Sequence, residues 1–181
     1  GLAAVEAAIA GLPVVAGHLD VLVEVLTNRA GAPAALFVEP DADGIAAGQT
    51  IWVGLQLRHQ PHWHTYWKNP GDSGLPTVLQ WTLPAGMVAG EIAWPTPNKI
   101  PIGNLANYGF EGSVLLPVPV TIGADFKPPL VGDGVPIKLR ASWLVCRQEC
   151  IPQDGEFVLS LPVRGSTAFN TAAFEASFKA S

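Results

Sequence analysis

The 181-residue chain has only two thiols, Cys146 and Cys150, in the segment Trp143-Leu144-Val145-Cys146-Arg147-Gln148-Glu149-Cys150-Ile151-Pro152. A bridge between them closes a very small ring at the end of a strand-like run. Loop-closure arithmetic gives such a ring about 2 kcal/mol at most, which a chain rich in apolar residues has little need of. A structural bridge in an immunoglobulin-like sandwich joins opposite sheets through cysteines far apart in sequence, and this pair cannot do that. A local pair bounded by charged residues is the kind that exchanges readily with other thiols. Arg147 favours a thiolate and Glu149 opposes it, so the flanking charges do not decide reactivity. Spacing alone leaves three readings open: redox exchange, metal ligation and an inert bridge.

A second stretch runs His59-Gln60-Pro61-His62-Trp63-His64-Thr65-Tyr66-Trp67-Lys68-Asn69-Pro70-Gly71-Asp72-Ser73-Gly74-Leu75-Pro76. Three of the four histidines and two of the six tryptophans fall within nine residues of it. His59, His62 and His64 together with Cys146 and Cys150 have the donor chemistry for Zn²⁺ or Cu⁺, which makes a copper- or zinc-binding module the alternative reading. In a strand, His62 and His64 would share a face while His59 points elsewhere. The ordinary reading is favoured for the histidines: Trp63, Tyr66 and Trp67 belong to a core or its rim, with surface histidines between. Asn69–Pro76 is a long turn suited to holding a fixed loop. A third stretch, Trp94–Gly112, is long for a plain hairpin connection, and loops of such length are often functional.

These segments need a frame. Hydrophobic residues make up 49% of the chain and charged residues 14%, a composition that folds. Nineteen glycines and 17 prolines suit a β protein with many turns. The net charge of −5 and the lack of a basic cluster exclude nucleic acid as a natural partner. No apolar run approaches the roughly 18 residues needed to cross a bilayer. Near-alternating patterns predict strands at His18–Leu26, Gln49–Arg58, Pro76–Leu83, Ser113–Ile122, Val135–Val145 and Gly155–Val163. Short strands separated by turn clusters predict a sandwich or barrel rather than βαβ units. Pro117 and Pro119 predict that their strand lies at an edge or is bulged. Leu2–Gly17 reads as a short helix or the remainder of a targeting or linker segment. Phe174 and Phe178 share one face of a short helix near the other end.

Three segments, HWHTYWKNPGDSGLP (62–76), IPIGNLANYGFEGSVLLPV (100–118) and ASWLVCRQECIP (141–152), resemble the N-terminal periplasmic domain of the DsbD-type thiol:disulfide interchange proteins. The resemblance is greatest to the ScsB-like branch, linked with copper tolerance, and covers about residues 35–163. It implies an all-β, immunoglobulin-like β-sandwich with short helical segments at the termini. The expected organisation is an N-terminal segment (1–32, helix plus first strand), the redox domain (33–165) and a helix or linker toward a membrane domain (166–181). The implied activity is that of a protein-disulfide reductase domain in the periplasm, needing no cofactor. Its implied electron donor is a membrane-embedded domain of the same protein. Its implied acceptors are thioredoxin-like proteins, disulfide isomerases or peroxidases. By position, Cys150 forms mixed disulfides with partners and Cys146 resolves them. Tyr66, Trp143, Arg147 and Glu149 fall around the pair. The segment Ile100–Tyr108 falls where the better-studied branch has a cap carrying Phe, Tyr and Gly, whereas this chain reads Ile102-Gly103-Asn104. Either Tyr108 or Phe110 takes over the shielding, or the pair is uncapped. The cysteine spacing is also shorter here than in that branch.

Overall fold

The computed structural model describes residues 21–22, 34–39, 45–127 and 134–161, and among the described residues every regular element is a strand. In chain order these are β1 (Val21–Leu22), β2 (Ala34–Glu39), β3 (Thr50–Arg58), β4 (His64–Gly71), β5 (Val78–Thr82) and β6 (Met87–Ala89). They are followed by β7 (Asn98–Ile102), β8 (Leu105–Glu111), β9 (Ser113–Ile122), β10 (Val135–Cys146) and β11 (Cys150–Leu161). One antiparallel sheet has the order β1-β11-β10-β4-β8-β7, with β5 also pairing β10, and the other has the order β2-β3-β9-β6. Together they form an immunoglobulin-like β-sandwich. The helical segments expected at the two termini lie outside the described residues.

Strict alternation in β10 decides which way its side chains point. Val135, Ile137, Leu139, Ala141, Trp143 and Val145 are buried, while Pro136, Lys138, Arg140 and Ser142 are exposed. The buried set meets Ile51, Val53, Leu55 and Leu57 of β3 and Val114, Leu116, Val120 and Ile122 of β9 in one core. Each such side chain contributes about 1.5–3 kcal/mol on burial, so the space between the sheets dominates the stability of the domain.

Two expectations need correction. The strand holding Pro117 and Pro119 is β9, which lies between β3 and β6 rather than at an edge. It pairs with β3 over its whole run from Ser113 to Thr121. The prolines are tolerated because they face the other way. Their carbonyls accept from Ala93 N and Gly90 N on the β6 side, where only three residues pair. The stretch Trp94–Gly112 is not one long loop either. It contains the hairpin β7–β8, turned at Gly103-Asn104 with Gly103 at φ 58°, and β8 pairs with β4.

Candidate active site

Cys146 ends β10 and Cys150 begins β11, directly opposite each other in the hairpin and 4.1 Å apart at Cα. They form a disulfide. Arg147, Gln148 and Glu149 make the connection, closed by Arg147 N donating to Glu149 O at 2.9 Å. The two cysteines differ sharply in access. Cys146 is 1% exposed, whereas Cys150 is an exposed residue.

Alternation puts Val145 and Trp143 into the inter-sheet core and Cys146 onto the outer face of the sheet. Beneath the hairpin, on the core side, the buried Trp143 donates Nε1–H to Gln153 Oε1 at 2.9 Å. On the outer face the ladder continues past Cys146 to His64 of β4, and past His64 to Glu111 of β8. Residues paired directly across strands share a face. Cys150, Cys146, His64 and Glu111 therefore form one row across four strands.

His64 is 2% exposed and shares a 3.2 Å hydrogen bond between its Nε2 and Tyr66 Oη. The two rings meet edge to face with centroids 5.1 Å apart. Burial lowers the imidazole pKa below its ordinary 6.5, and the Glu111 carboxylate partly offsets this. Burial raises the Tyr66 phenol above 10.0, so it stays protonated. The turn after β4 closes over Tyr66: a Cβ at Gly74, which has φ 97°, would clash with the carbons of the Tyr66 ring. Two side chains fix that turn to β8. Asp72 Oδ2 accepts from Ala106 N at 2.7 Å, and the buried Asn107 Oδ1 accepts from Ser73 N at 2.9 Å.

The remaining predicted residues are scattered. Arg147 and Glu149 are exposed at the hairpin tip, and the Arg147 guanidinium lies 5.6 Å over the ring of Trp63. Asn104 is exposed at the β7–β8 turn and Tyr108 is half-buried on β8. Phe110 is buried in the core, stacked 6.3 Å from Trp94. His62 does not share a strand face with His64, because it precedes β4, is exposed, and sits in a turn at φ 72°. His59 is buried, with Nδ1 2.6 Å from Gly112 O and Nε2 2.9 Å from Thr65 Oγ1. A carbonyl only accepts, so Nδ1 carries the proton and the Thr65 hydroxyl donates to Nε2. Among the described residues no group of three or more His, Cys, Asp or Glu side chains is placed to hold a metal ion. Glu111, Asn107 and Gly74 escape a reading of the sequence. Only the turn signal around Asn69–Pro76 hinted at the last of them.

The hairpin disulfide, with one buried and one exposed cysteine, thus sits at the end of a two-sheet sandwich on an immunoglobulin-like frame. Residues 34–162 match the family model described as thiol:disulfide interchange protein DsbD, N-terminal, and the chain belongs to that family. The fold is similar to the N-terminal periplasmic domain of ScsB from Proteus mirabilis, at 19% identity and a TM-score of 0.60. That match covers 87% of this chain and 55% of the ScsB chain, so this chain spans about half the length of that structure. The reduced DsbD N-terminal domain of Neisseria meningitidis aligns at 17% identity and a TM-score of 0.45, covering 76% of this chain and 92% of that one. Among curated proteins no sequence matches the chain.

Proposed function

We propose that this domain works in the periplasm as a protein-disulfide reductase, taking electrons from a membrane-embedded domain and passing them to disulfides in periplasmic proteins. The observation that carries this reading is the unequal access of the two cysteines, with Cys146 1% exposed and Cys150 open to solvent. In the reduced domain the Cys150 thiolate attacks a partner disulfide, forming a mixed disulfide and releasing one partner thiol. Cys146 then attacks the Cys150 sulfur, the mixed disulfide breaks, and the second partner thiol leaves. Two electrons have moved to the partner, and the Cys146–Cys150 bridge has formed. A dithiol donor reverses the sequence by attacking Cys150, the sulfur it can reach.

Thioredoxin-like proteins, disulfide isomerases and peroxidases are the acceptor classes that the family implies. Family membership and the periplasmic setting of the ScsB domain support this assignment. The test uses single cysteine variants with an oxidised acceptor, followed on non-reducing gels with mass spectrometry. Cys150→Ala abolishes acceptor reduction, and Cys146→Ala accumulates a mixed disulfide through Cys150. Acceptor reduction by both variants at the parent rate would refute the assignment.

A further inference from the structure

Exchange at Cys150 leaves a chemical problem at Cys146. When the bridge opens, the electron pair of the broken S–S bond goes to a sulfur in a residue only 1% exposed. When the mixed disulfide resolves, that same buried sulfur must lose a proton before it attacks. A thiolate without a partner is disfavoured in such a site, so a neighbouring group must handle the proton. Arg147 does not serve, since its guanidinium lies 5.6 Å over the Trp63 ring and carries no exchangeable charge state. Directly beside Cys146 in the ladder stands His64, 2% exposed, and beyond it Glu111, which is exposed to water.

We propose that His64 is the proton-relay residue of the exchange reaction, taking the proton from the Cys146 thiol during resolution and returning one when the bridge is opened. This rests on the exchange chemistry proposed above and deepens it. In resolution the neutral imidazole accepts the Cys146 proton as the sulfur bonds to Cys150 Sγ. The bond from Cys150 to the partner breaks, the partner leaves as a thiolate, and the imidazolium returns its proton to water on the Glu111 side. In opening, an incoming thiolate bonds to Cys150 Sγ and the bridge electrons pass to Cys146. Cys146 then takes a proton through the imidazole from the same water.

The surroundings fit such a base. The titratable groups facing His64 are Cys146 from β10, Glu111 from β8 and Tyr66 from its own strand, with His59 a further ring that feels the charge of His64. Burial keeps the imidazole neutral at neutral pH, the form that accepts a proton, and Tyr66 holds its orientation through the bond at Nε2.

Stopped-flow reaction of the reduced chain with 5,5′-dithiobis(2-nitrobenzoate) separates the two steps. A first phase of thionitrobenzoate release reports attack by Cys150, and a second reports resolution by Cys146. In His64→Gln the second phase slows by about 10-fold or more at neutral pH, the first phase holds, and the acid limb of the pH–rate profile moves to higher pH, because the Cys146 thiol must then ionise unaided. In Glu111→Gln, an exposed change that spares the core, the acid limb moves to lower pH, because the carboxylate raises the imidazole pKa. An unchanged second-phase profile in His64→Gln overturns the relay, as does an unmoved acid limb in Glu111→Gln should the His64 variant not fold. A parent chain with no second phase at all sinks the exchange chemistry itself, and the relay with it.

Discussion

Single side chains set how this domain answers to pH. Three histidines within six residues have three fates: His62 is exposed in a turn, His64 lies in the row beside the disulfide, and His59 is buried as a neutral strut. His59 carries the largest consequence for stability. Burial lowers its pKa from 6.5 to about 4, against the opposing pull of the bond to Gly112 O. An unfolded chain takes up this proton near the ordinary value, whereas the folded one does so only near the lowered one. Between the two the unfolded state binds the extra proton, so stability rises with pH across that window. The contribution is complete above the unfolded value and is lost as pH falls through the folded one, amounting to roughly 3 kcal/mol. Urea unfolding at about pH 7.5 and about pH 4.5 checks this against His59→Gln, which can keep both hydrogen bonds without titrating. The parent loses stability on acidification, and the variant is spared most of that loss. Equal losses in the two would assign the acid sensitivity to another group.

Elements hold the row of side chains in place, and the turn between β4 and β5 shows how. Asp72 and Ser73 tie it to β8, which brings Gly74 against the face of Tyr66 and so fixes the partner of His64. Gly74→Ala therefore meets two penalties, a left-handed backbone and a blocked ring, each worth about 1–3 kcal/mol. Gly48→Ala separates them, since Gly48 has φ 78° with nothing within 4 Å of a new Cβ. In denaturant unfolding Gly74→Ala is expected to fall well below Gly48→Ala, and near-equal values would mean that the Tyr66 contact is slack. The elements also mark the limit of what the sequence discloses. β3, β9 and β10 are legible because one buried face imposes an apolar residue at every second position. β4 is hidden because it runs through Asn69-Pro70-Gly71, which reads as a turn, and its pairing with β8 shifts register between Tyr66 and Gly71. β7 is short and carries Pro101. The cysteine pair is legible because only three residues separate its members. The sequence groups His64 with it only as a metal-ligand alternative and does not single out Glu111, because both reach it through ladder register between strands distant in sequence.

For the molecule as a whole, the bridge must form and break without disturbing the frame that presents it. The core between the sheets draws on β3, β9, β10 and β11 together with Trp63 and Phe110, and the disulfide lies outside it on the outer face. Closing so small a ring restricts the unfolded chain by about 2 kcal/mol at most, against the 5–15 kcal/mol typical of a folded domain. The reduced chain is therefore expected to stay folded and to unfold in a single transition, displaced by no more than that small amount. The double variant Cys146→Ala/Cys150→Ala should behave like the reduced parent. Denaturant titrations of oxidised chain, reduced chain and double variant, followed by tryptophan fluorescence, measure the difference. A large loss of stability or cooperativity on reduction would make the bridge a structural staple, and a staple cannot be opened once per turnover. A small difference means that both redox states offer partners nearly the same surface, so discrimination between donor and acceptor must come from the sulfurs and the row of side chains behind them.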